Sequence, residues 1–90
     1  MIERPLTLPC GASLPNRLCK AAMTEGLADP LGQATPALTQ LYDLWSDGGA
    51  GLLLSGNVQI DGDHLERPGN VIIDSEPGEE AMSALRRWAE

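Results

Sequence analysis

The sequence predicts an α/β architecture built on parallel strands, and three observations carry that prediction. A helix with both of its ends marked, 36–47, lies between two apolar runs, "RLCKAAM" and "GLLLSGNV". Three consecutive leucines, Leu52, Leu53 and Leu54, suit a strand covered on both faces, as parallel strands flanked by helices are. A second amphipathic segment, "EEAMSALRRWAE", then follows the second run. Alternation of β and α units in this order favours a parallel sheet joined by crossovers.

"PLTLPCGASLP" has two short alternating segments around a Pro-Cys-Gly turn, which predicts a small hairpin over Leu6–Leu14. "RLCKAAM" predicts a strand over Leu18–Met23, and "TEGLADPLGQA" a loop rich in Gly, Pro and Asp. Thr35 stands at a helix N-cap, Pro36 at the first helical position, and Gly48-Gly49 at the C-terminal end. Within that helix Ala37, Leu38, Leu41, Leu44 and Trp45 are expected to form the apolar stripe. The second strand is expected within "AGLLLSGNVQI". A long polar connection, "DGDHLERPGNVIIDSEPG", comes next, with Val71 to Ile73 either a small strand or part of a capping loop. The last helix begins near Glu79, with Ala81, Met82, Leu85, Trp88 and Ala89 on its apolar face.

Composition removes several function classes. The net charge is −7 and the six basic residues are scattered, so no basic patch or arm exists to neutralise phosphates. Nucleic acid is therefore not an expected partner. No apolar run approaches the roughly 18 residues of a membrane span, and "MIERPLTLPCG" has no signal-peptide h-region. Cys10 and Cys19 lack C-x-x-C spacing and a nearby His, which reads as two reduced thiols in a cytoplasmic protein.

Few stretches can carry chemistry. "GGAG" at Gly48 to Gly51 looks like a phosphate loop, but it follows a helix and precedes a strand. Phosphate-binding glycine loops need the reverse order, so that a helix N-terminus points at the anion. His64 sits among Asp61, Asp63 and Glu66 without the ligand spacing of a calcium loop, and reads as part of a solvated acidic segment. The strand ends are more suggestive. The first ends in Ala21, Ala22, Met23 and Thr24, the second in Ser55-Gly56-Asn57. In parallel β/α architectures ligands bind at the carboxyl ends of strands. Small side chains admit a flat ligand to the backbone, Met offers a polarizable contact, and Thr and Asn offer hydrogen bonds. The same residues are equally consistent with plain strand ends turning into loops.

The blocks "LTLPCGASLPNRLCKAAMTEGLAD", "YDLWSDGGAGLLLSGNVQID" and "HLERPGN", in this order and spacing, resemble the N-terminal part of the old yellow enzyme family. These are FMN-dependent NADH:flavin oxidoreductases and ene-reductases, and the resemblance runs through essentially the whole chain. It implies an N-terminal fragment of a (β/α)8 TIM barrel. Residues 1–90 would be a partial FMN-binding domain, comprising the N-terminal hairpin and the first two β/α units, cut within the second barrel helix. It further implies that Ala21, Ala22, Met23 and Thr24 lie along FMN, with Thr24 at the isoalloxazine edge, and that Asn57 approaches the pyrimidine side. Ala22 stands where many members have Pro, and Gly26 where one branch carries a substrate-facing Tyr, so substrate preference does not transfer.

The implied reaction passes a hydride from NAD(P)H through FMN to an activated alkene or similar small-molecule acceptor. No catalytic residue of the family and no metal ligand falls in this segment. A complete barrel of this type needs about 250 residues, so the 90-residue chain is expected to be inactive alone and to bind FMN weakly or not at all. Its open edges and helix-binding face predict marginal stability or assembly into a homo-oligomer. The competing expectation is a non-catalytic β/α remnant or interaction module.

Overall fold

The computed structural model describes residues 1–74 and 77–90. The polar connection expected after the second strand reaches Ser75 and Glu76, which lie outside the described residues. The chain begins with a hairpin in which β1 (Leu6–Thr7) pairs antiparallel with β2 (Ser13–Leu14), Leu6 opposite Leu14. Strand β3 (Cys19–Lys20) follows, and after a long loop comes α1 (Pro36–Asp47). Strand β4 (Leu52–Leu53) pairs parallel with β3, Cys19 opposite Leu52 and Lys20 opposite Leu53. Strands β5 (Val58–Gln59) and β6 (Val71–Ile72) form a second parallel pair, and α2 (Glu79–Ala89) closes the described chain.

Helix α1 has the bounds its caps predict. Thr35 is extended (φ −112°, ψ 163°), its Oγ accepts the Leu38 amide at 3.3 Å, and Pro36 occupies the first turn. At the other end the Gly48 and Gly49 amides donate to the carbonyls of Trp45 and Ser46. Gly49 then takes φ +94°, a left-handed turn that glycine makes without steric cost. The Gly48–Gly49 pair is thus a helix terminator, as its order in the chain implies.

The strands depart from expectation. Regular pairing covers Cys19–Lys20 rather than Leu18–Met23, and the run Gly51–Val58 is divided between β4 and β5. The interruption falls at Leu54 to Asn57, where chain segments cross closely at Gly56 instead of extending a ladder. Val71-Ile72 is a strand and not a capping loop. Within this segment the leucine run is covered on one face only, as two parallel strands with helices on one side leave it: Leu52 is 41% and Leu54 47% exposed. Helices cover one face of the β3–β4 pair only. Lys20 and Leu53, cross-strand partners, face the helices, while Leu52 and Leu54 alternate to the open side.

The core gathers Ala34, Leu38, Val71 and Ala84, with Leu27, Ala28, Tyr42, Val58, Leu85 and Trp88 packed around it. On α1 the inward face is Leu38, Leu41, Tyr42 and Trp45, whereas Ala37 and Leu44 are exposed. At about 100° per residue, Leu44 lies about 120° around the helix from Leu38. On α2 the inward face is Ala81, Ala84, Leu85 and Trp88, and Met82 and Ala89 fall outside it. Ala84 is central because α1 and α2 pack against each other beside Leu38, where a small side chain allows close approach.

This core is small for the chain. The Cα radius of gyration is 14.7 Å, against about 12 Å for a compact chain of this length. The accessible surface is 6339 Å², against about 5,100 Å² for a compact 9.6 kDa protein. The excess is an open arrangement with one sheet face uncovered.

Candidate functional site

The two strand ends singled out in the sequence lie side by side, and three polar side chains hold them there. Lys20, the last residue of β3, turns its ammonium toward the helices. Nζ donates to the carbonyls of Ala21 at 2.7 Å and Leu54 at 2.6 Å, one from each chain segment. The same ammonium lies 4.8 Å from the Trp45 ring centroid and 5.5 Å from that of Tyr42. The Leu54 amide returns a bond to the Lys20 carbonyl at 3.1 Å.

Four residues past Ala21, Glu25 folds back onto the second segment. Its Oε2 accepts the Gly56 amide at 3.0 Å and the Tyr42 hydroxyl at 2.6 Å. Gly56 is buried, and a Cβ there would overlap the Met23 carbonyl oxygen and the Glu25 carboxylate. Only glycine permits this approach. Tyr42 completes a chain of edge-on aromatic contacts, with ring centroids 5.2 Å from Trp45 and 5.5 Å from Trp88. Burial first, and then the hydrogen bond to Glu25 and its charge, push the Tyr42 phenol well above its ordinary range. Tyr42 is thus a neutral donor at every physiological pH.

At the other end of β3, Asn16 acts as a second brace. Its Oδ1 accepts the amides of Leu18 at 3.0 Å and Gly51 at 2.9 Å, and its Nδ2 donates to the Gly49 carbonyl at 2.7 Å. A Cβ on Gly51 would meet the Asn16 carbonyl oxygen at 2.5 Å, so this glycine too serves close approach rather than anion binding.

Ala21, Ala22 and Met23 are exposed, Met23 by 51%, and Thr24 and Asn57 are half-buried. The structure brings Met23 and Glu25 against Gly56, the neighbour of Asn57. Asn57 Nδ2 donates to Glu66 at 3.2 Å, and Glu66 in turn accepts from Arg67 Nε at 2.7 Å. A cavity of about 520 Å³ lies elsewhere, on the helix side, among Tyr42, Leu53, Val58, Leu85 and Trp88. None of Ala21, Ala22, Met23, Thr24 or Asn57 lines it.

Sequence reasoning missed Glu25, Lys20 and Tyr42. A lysine inside an otherwise apolar strand and a carboxylate directly after a strand tip were the available signals. His64 pairs with Asp61 at 2.7 Å on the surface. The Asp63 amide, and then His64, hold the Asp61 carboxyl below its usual range. Among the described residues no group of three or more His, Cys, Asp or Glu side chains could hold a metal ion, and no helix is long and apolar enough to cross a membrane. Cys10 and Cys19 are free and exposed.

No protein-family model matches the chain. Individual proteins do. It is 37% identical over 86 residues to the NADH-dependent flavin oxidoreductase iliE of Hypocrea jecorina, covering 94% of this chain and 21% of that protein. It is 39% identical over 87 residues to the iliE protein of Neonectria sp., covering 96% of this chain and 11% of that protein. The chain is a homologue of the NADH-dependent flavin oxidoreductases, matching one portion of them. A third such oxidoreductase, iccE of Talaromyces variabilis, is 30% identical over 89 residues, with 98% of this chain and 22% of that protein aligned. The chain thus spans between 11% and 22% of the length of these three flavin oxidoreductases. The match to the Hypocrea jecorina protein covers 94% of the chain, so few of its 90 residues fall outside it.

Proposed function

We propose that this chain forms the flavin-side opening portion of an FMN-dependent NAD(P)H oxidoreductase of the old yellow enzyme type, a (β/α)8 barrel when complete. On this reading the β1–β2 hairpin closes the barrel bottom, β3 and β4 open the first two barrel strands, and the exposed Leu52–Leu54 face turns toward the barrel interior. The observation that supports it most is the near end-to-end similarity to flavin oxidoreductases, which falls on a chain whose two strand ends are held together. The residues present fit one edge of a planar heterocycle. Ala21, Ala22 and Met23 form a low, accessible, largely apolar row, and the half-buried Thr24 and Asn57 add a hydroxyl and an amide.

In this role Ala21, Ala22 and Met23 give van der Waals contact along the ring, Thr24 donates a hydrogen bond at its edge, and Asn57 faces the pyrimidine side. FMN, when bound, supplies a ring that takes a hydride from NAD(P)H and yields it to an activated alkene or similar small-molecule acceptor. The chain supplies orientation; the described residues contain no paired acid and base for the acceptor. The segment alone is inactive.

The test is FMN loading of the protein expressed from its full reading frame, with Thr24→Ala as the probe variant. The wild type should purify with or take up FMN, and the variant should bind it with a more negative flavin potential, because a donor at the ring edge favours the reduced, more electron-rich form. A full-length protein that takes up no FMN refutes the reading.

A further inference from the structure

We infer that Glu25 is the positioning residue of this site: its carboxylate clamps the 21–24 strand end to the 55–57 strand end and so sets the gap that a ligand at these residues spans. The inference rests on the flavin reading only for the identity of the ligand; the clamp itself stands on geometry.

Three observations carry it. A single oxygen, Oε2, receives both the Gly56 amide at 3.0 Å and the Tyr42 hydroxyl at 2.6 Å, joining the second strand end and the middle of α1 to the first strand end. The clamp closes on a glycine with no room for a Cβ, since that atom would overlap the Met23 carbonyl oxygen and Glu25 itself. The residues on either side of the clamped atoms, Thr24 and Asn57, are the two polar groups offered to the ligand. Neither strand pairing nor the hydrophobic core holds this junction. Regular pairing of β3 with β4 ends at Lys20 and Leu53; beyond it, among the described residues, the Leu54 amide bonds the Lys20 carbonyl, the Lys20 ammonium and the Tyr42 hydroxyl reach the Leu54 carbonyl, and Glu25 accepts the Gly56 amide. A group that bears on the gap without itself meeting the ring is a positioning residue, not a catalytic one.

Glu25→Ala, Glu25→Gln and Tyr42→Phe in the full-length protein test it by two readouts. The first is hydrogen exchange of the Gly56 amide, with α1 amides as the control that the helix is intact. The second is affinity for FMN, the probe used. Glu25→Ala should speed Gly56 exchange while α1 stays protected, and weaken FMN binding about tenfold or more, the loss expected when bonds to a charged acceptor are removed. Glu25→Gln keeps a carbonyl oxygen at the same reach and should restore both, which a requirement for the negative charge would not allow. Tyr42→Phe keeps the Gly56 bond and should leave its exchange slow, and it covers the case in which Glu25→Ala fails to fold. Unchanged Gly56 exchange in Glu25→Ala overturns the clamp, and so does an Ala variant with wild-type FMN affinity. A wild type that binds no FMN removes the flavin reading, and the clamp is then judged on Gly56 exchange alone.

Discussion

The Tyr42 hydroxyl donates to Glu25 Oε2 at 2.6 Å, so the middle of α1 is bonded to the chain just beyond β3. The bond joins the helical layer to the strand ends where the ligand is proposed to lie. Losing the hydroxyl in Tyr42→Phe should cost about 1–2 kcal/mol, read as a lower urea midpoint with an unchanged slope. The ring and its contacts with Trp45 and Trp88 remain, which bounds the loss.

The same phenol predicts an alkaline weakness. Its folded pKa is raised above the ordinary value of 10.0, so its contribution is complete below pH 10 and is lost as pH rises past it. In that window the unfolded chain releases the phenolic proton while the folded chain retains it, and mass action favours unfolding. Urea midpoints measured across that range should fall for the wild type and fall less for Tyr42→Phe.

Leu38 is fully buried at the centre of a four-residue core. Leu38→Ala should cost about 2–5 kcal/mol. With so little other buried apolar surface, that loss should abolish the cooperative thermal transition followed by far-UV circular dichroism.

Gly56→Ala should be destabilising by about 1–3 kcal/mol, because the clash is with the Met23 backbone, which cannot rotate away. Gly62→Ala is the matched control. Its added Cβ would sit at an ordinary 3.7 Å from Ile72, and the change should stay within about 0.5 kcal/mol. Equal midpoints for the two variants would show that the strand ends are not in close contact.

Asn16→Ala removes one acceptor that serves two amides and one donor, and should accelerate exchange of the Leu18 and Gly51 amides. Asn16→Asp retains the acceptor and loses only the bond to Gly49. It should keep both amides protected, at a cost of about 1 kcal/mol.

Sequence alone determined the local elements. Thr35, Pro36 and the Gly48–Gly49 pair set the bounds of α1, because capping is a matter of backbone donors and acceptors within a few residues. The Pro-Cys-Gly turn placed the hairpin, Glu79 opened α2, and the block order carried the likeness to flavin oxidoreductases. Tertiary structure decided what those rules do not reach. Which helix residues face inward depended on where the second helix lies, so Ala84 is central and Leu44 exposed. The leucine run is open on one side because helices cover one face only. Glu25, Lys20 and Tyr42 became a site only when segments about 30 residues apart met at Gly56. A carboxylate's partner across such a distance is chosen by chain packing, and no local spacing encodes it.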